Sequence, residues 1–62
     1  MKLRIYMKSG TVVDYPLAKG QLAAATIRQF REFGGIDRFT EDGVQEYYPW
    51  HEVEHIALVV GG

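Results

Sequence analysis

The chain has no cysteine, only two prolines, and no apolar stretch near its C-terminus longer than IALVV. Without cysteine there is no disulfide framework and no thiolate metal site, so stability must come from packing, a partner or self-association, and a reducing cytoplasm is the expected setting. IALVV is too short to span a bilayer, and Lys2 and Arg4 fall in an alternating strand pattern, so neither a membrane span nor a signal peptide is expected. Charge of one sign is also lacking. Lys+Arg 7 against Asp+Glu 8 gives a net charge of -1, the wrong balance for affinity that rests on neutralising phosphate, so nucleic acid is not the expected partner. Lys19, Arg28 and Arg31 read as a solvated helix face.

Catalytic groups are thin as well. No cysteine nucleophile exists, Ser9 sits in a turn whose Gly10 has a backbone reason to be there, and the glycines never take a phosphate-binding spacing. Enzyme activity and a cofactor are therefore not expected. HEVEH (51–55) does fit the H-E-x-x-H zinc spacing, which needs His51 and His55 one helical turn apart, about 6 Å along the axis. The β-rich IALVV starts directly after His55, and extended residues would separate the histidines by about 13 Å. Only IALVVGG follows in the sequence, which offers no third ligand. No metal site is expected; the segment reads as a polar corner anchored by Val53 and Ile56.

What is present fits a single small α+β domain over residues 1–62, a size at which roughly 60% of the unfolded chain's surface is buried. In KLRIYMKSGTVVDYPL, a three-residue loop Lys8-Ser9-Gly10 sets Met7 opposite Thr11, Ile5 opposite Val13 and Leu3 opposite Tyr15, collecting the apolar side chains on one face. The other face then pairs Arg4 with Asp14 and Tyr6 with Val12. A two-residue loop would bury Asp14 among Leu3, Ile5 and Met7, so the longer loop is preferred.

From Gln21 to Phe33 the period becomes helical, with Leu22, Ala23, Thr26, Ile27, Phe30 and Phe33 on one stripe. Gly20 is its N-terminal cap and Gly34-Gly35 the left-handed C-terminal cap, closed by Ile36. IDRFT and VQEYYP flank Glu41-Asp42-Gly43 as a second hairpin of open register. Pro49 ends it, WHEV makes a corner, and HIALVV forms a last strand with Ile56, Leu58 and Val60 on one face. The order is ββαβββ, one helix packed on a mainly antiparallel or mixed sheet.

Two resemblances follow. A chain that opens MKLRIYMKSGTVVDYPL, passes through one amphipathic helix and ends ALVVGG resembles the β-grasp, ubiquitin-like sulfur carriers of thiamin and molybdopterin synthesis. That resemblance implies a tail of Gly61 and Gly62, with Gly62 converted to a thiocarboxylate by a partner enzyme. The chain departs from such carriers in having WHEVEHI where they have a Gly-Asp turn. The KSG hairpin, the helix IRQFREFGG and the corner PWHEVEHI together resemble small orphan accessory proteins of actinobacteriophages, which implies binding to host or phage proteins.

The leading expectation is a non-enzymatic protein-binding module. Tyr6, Tyr47, Tyr48 and Trp50 cannot all be buried behind one helix, and exposed Tyr and Trp dominate binding hot spots. These four are the candidate binding residues. Homodimerisation through a free strand edge or the aromatic face would serve the same physical need.

Overall fold

The computed structural model describes residues 1–61. Its elements run β1 (Lys2–Met7), β2 (Val12–Pro16), α1 (Ala23–Phe33), β3 (Gly35–Phe39), β4 (Gln45–Pro49), a 3-10 turn (Trp50–Glu52) and β5 (Val53–Val59). This is the α+β, ββαβββ order expected. The strands form two antiparallel sheets, one of three strands in the order β2-β1-β5 and one of two, β3-β4.

The first hairpin has the register that its hydrophobic alternation requires: Leu3 faces Tyr15, Arg4 faces Asp14, Ile5 faces Val13 and Tyr6 faces Val12. Its loop is closed by Met7 N–H donating to Thr11 O (2.9 Å) and Gly10 N–H donating to Met7 O (3.0 Å). Gly10 has φ 93°, a left-handed conformation that costs a side-chain-bearing residue energy and glycine nothing. The side chains of β1 then alternate strictly, Leu3, Ile5 and Met7 buried and Lys2, Arg4 and Tyr6 half-buried on the other face.

β5 pairs with the opposite edge of β1, Leu58 across from Leu3 and Ile56 across from Ile5. Between Tyr6 and Met7 the pairing slips by one residue, so that Tyr6 faces His55 and Met7 faces Val53. Glu54 is the extra residue of a β-bulge, which leaves Val53 turned back toward the core. Ile56 and Val53 pack against the core as expected, but Leu58 and Val60 are exposed. They lie at or beyond the end of an edge strand, where α1 and the second hairpin no longer cover them.

Helix α1 starts two residues later than its periodicity predicts. Ala18 to Gln21 form a separate turn, with Gln21 N–H donating to Ala18 O (3.0 Å) and Ala18 N–H donating to the Gln21 side-chain oxygen (2.9 Å). Gly20, at φ 84°, belongs to this turn and is not the helix cap; that position is held by Leu22, whose side chain makes no capping bond. Leu22 is consequently 70% exposed, ahead of the helical stripe rather than on it. Thr26 and Phe30 are buried, with Ala23 and Ile27 packed beside them. The Thr26 hydroxyl donates to Leu22 O (2.9 Å), which satisfies its burial.

Gly34 takes the expected left-handed cap at φ 85°, and the chain turns directly into β3. Ile36 is fully buried and joins Leu3, Ile5, Met7, Val13 and Phe30 in one core. Trp50 N–H donates to Gly34 O (2.7 Å) and Lys8 N–H donates to Glu52 O (2.8 Å), so the 3-10 turn ties the helix end to the first hairpin. Among the described residues no helix is long and apolar enough to cross a membrane.

Candidate functional site

The second hairpin closes on a loop built like the first. Thr40 N–H donates to Val44 O (2.8 Å), Gly43 N–H donates to Thr40 O (3.0 Å), and Gly43 is left-handed at φ 85°. The Thr40 hydroxyl also donates to Asp42 and accepts from the Val44 N–H (3.1 Å). This loop settles the open register: Ile36 faces Tyr48, Asp37 faces Tyr47, Arg38 faces Glu46 and Phe39 faces Gln45.

Since side chains alternate along a strand, that register sorts the hairpin into two faces. Ile36 and Tyr48 point into the core, and burial, with Glu46 beside it, pushes the Tyr48 phenol above its usual pKa. Arg38 shares this side, donating from Nη1 to the backbone O of Asp14 (3.2 Å) and so linking β3 to β2. The other face carries Gly35, Asp37 and Phe39 of β3 beside Gln45 and Tyr47 of β4. Tyr47 and Phe39 are 59% and 69% exposed, and Phe33, at the end of α1 beside them, is 82% exposed.

Phe33 was expected in the buried stripe. At 3.6 residues per turn it lies about 60° round the helix from Phe30, and Gly34 reverses the chain immediately after it, so no core remains beneath its ring.

Three walls of this surface are fixed in place. The Tyr47 hydroxyl donates to Gly34 O (3.0 Å). Its ring lies over Gly35, where a Cβ would stand 2.7 Å from the Tyr47 ring and hydroxyl and 2.5 Å from the backbone O of Tyr48; only glycine leaves room for the ring there. Tyr15, on β2, packs edge-on against Phe30 with ring centroids 5.0 Å apart. The Asp37 carboxylate accepts from the Gln45 amide at both oxygens (2.8 and 2.9 Å).

Tyr15, Phe30, Phe33 and Tyr47 line a hollow of about 390 Å³ that has Asp37 at its edge. A second, of about 580 Å³, continues past Tyr15 and Asp37 to Pro16, Phe39 and Glu41, with Asp14 and Arg38 also in its lining. The two share Tyr15 and Asp37 and form a groove between β2 and the second hairpin.

The four aromatic residues singled out from the sequence do not converge. Tyr47 alone belongs to this groove. Tyr48 and Trp50 are half-buried against the core. Tyr6 lies on the outer face of the three-stranded sheet, its ring stacked on His55 with centroids 4.3 Å apart and planes 15° from parallel. Phe33, Phe39, Tyr15 and Asp37 were missed.

A scan of protein-family models, a search of curated proteins and a search of solved structures each found no match to the chain.

HEVEH does not form one helical turn. His51 lies in the 3-10 turn beside Glu52 (3.4 Å), and His55 lies in β5 beside Glu54 (3.1 Å). Among the described residues no three potential ligands gather around a metal position. Of the tail glycines, Gly61 is exposed beyond β5 and Gly62 lies outside the described residues.

Proposed function

We propose that this protein is a non-enzymatic protein-binding module of the cytoplasm, an accessory domain of the kind small phage genomes encode, and that it binds through the aromatic groove between β2 and the second hairpin. The observation that carries this reading is the exposure of Phe33, Tyr47 and Phe39 along two adjoining hollows of a domain with few buried side chains. Exposed apolar surface of this kind marks an interaction site. Two of its walls, Tyr47 and Tyr15, are held rigid by a hydrogen bond and a ring contact, so little side-chain entropy remains to be lost on binding. Aromatic anchors with these properties dominate binding hot spots.

The test is capture of a partner by the full chain and by the Phe33→Ala/Tyr47→Ala double variant, with circular dichroism to follow the fold. Binding should be lost and the fold kept, because both side chains are exposed. Capture at wild-type strength by the double variant overturns the reading. Tyr6→Ala is the control and should bind normally.

One observation supports a second reading, the ubiquitin-like sulfur carrier using Gly61 and Gly62: Val60 and Gly61 are exposed past the last strand, where a partner enzyme could reach them. Removing both glycines separates the readings, since it inactivates a carrier and leaves groove binding intact.

A further inference from the structure

We infer that the groove takes a positively charged side chain, lysine or arginine, presented by the partner protein; this rests on the protein-binding reading above. The aromatic walls and Asp37 carry the inference together. A carboxylate set among Tyr15, Phe33 and Tyr47 offers a cation both a counter-charge and the negative faces of rings, while the long aliphatic stem of Lys or Arg covers apolar surface on its way in. A neutral apolar side chain would use the rings but leave the carboxylate to be desolvated without a partner.

The charges around the groove match this occupant. Among the described residues Asp37 is in no ion pair; its one partner, the neutral Gln45 amide, orients it without cancelling its charge. The neighbouring cation on β3, Arg38, lines the second hollow and not the first, and is engaged there with the Asp14 carbonyl. Asp14 itself is occupied by Lys2 (2.9 Å) and Arg4 (3.0 Å). Glu41 adds a second carboxylate at the far end. The first hollow, whose one charged lining residue among the described residues is Asp37, therefore presents uncompensated negative charge between aromatic walls.

The test titrates the isotope-labelled full chain with capped pentapeptides of glycine and serine around one central arginine or lysine, and with matched peptides carrying citrulline or norleucine. A single side chain should bind with a Kd on the order of 1 mM, moving the amide signals of Asp37 and Tyr47. Citrulline and norleucine should bind about tenfold more weakly, Asp37→Asn should weaken the cationic peptides by about the same factor, and added salt should weaken them further. Equal shifts from charged and neutral peptides overturn the inference and leave the protein-binding reading standing. Absence of shifts with the cationic peptides, while partner capture still depends on Phe33 and Tyr47, does the same. Capture that ignores Phe33 and Tyr47 overturns the protein-binding reading instead. Shifts that follow protein concentration and not peptide assign the groove to a second copy of the chain and overturn the inference.

Discussion

The loop Lys8-Ser9-Gly10 and the loop Glu41-Asp42-Gly43 are closed by the same pair of backbone hydrogen bonds, yet the strands they join serve different ends. The first hairpin, widened by β5, buries Leu3, Ile5, Met7 and Val13 and covers its other face with an ion-paired cluster of Lys2, Arg4 and Asp14. The second buries Ile36 fully, half-buries Tyr48, and shows solvent Tyr47, Phe39 and a carboxylate outside any ion pair among the described residues. Similar local chemistry thus makes a scaffold in one place and a presented surface in the other. What differs is coverage: α1 and the second hairpin lie over the inner face of the first sheet, whereas among the described residues Phe39 and Tyr47 on the outer face of the second stay exposed.

The sharpest way to break this comparison is to cut the core from each side. Ile5→Ala and Ile36→Ala each remove a fully buried side chain and should each cost about 2–5 kcal/mol, in a domain holding about 3–9 kcal/mol in total. Urea melts should find the midpoints of both variants well below that of the wild type. A cost below about 1 kcal/mol for Ile36→Ala would make the second hairpin an appendage rather than a wall of the core.

A smaller effect is expected from Gly35→Ala. The new Cβ meets backbone at Tyr48 O, which cannot swing aside, and the Tyr47 ring, which can. Overpacking should cost about 1–3 kcal/mol and displace Tyr47 from its hydrogen bond to Gly34. Thermal melting reads the first effect and tyrosine ring signals in NMR read the second; an unmoved ring would show that the glycine seat does not hold Tyr47.

The smallest effect separates the sheets by acid. Hydrogen bonds from Arg4 and then Lys2 lower the Asp14 carboxyl to about 2. It binds its proton more weakly in the folded chain than in the unfolded one, so its contribution is complete above the ordinary carboxylate range, about pH 4, and is lost as pH falls toward 2. Asp14→Asn should flatten the wild-type loss of stability across that window in melts at stepped pH. Because the pair is exposed to solvent, high salt should shrink the difference.

The first hairpin was legible to the residue because Asp14 rules against the competing two-residue loop, whose one-residue slip would bury a carboxylate. No such penalty acts on the second, where a register slip exchanges Tyr47 for Tyr48 at little cost in composition. The signal that could have resolved it was the likeness of the loops, since a three-residue loop ending in Gly43, copied from Lys8-Ser9-Gly10, places Asp37 across from Tyr47. Phe33 misled for a related reason. Helical spacing says which residues share a stripe but not where the core beneath the stripe stops.

By itself, then, the sequence determined the element order, the first register, the left-handed glycines at 10 and 34 and most of the core, all of which follow from periodicity and steric rules acting over a few residues. Only the tertiary structure decided that the strands divide into two sheets, that β5 lies antiparallel beside β1, that Tyr48 and Trp50 turn inward, and that Tyr15, Phe33, Asp37 and Tyr47 meet in one groove. These are contacts between segments distant in the chain, and they are set by competition for a core too small to cover every apolar side chain.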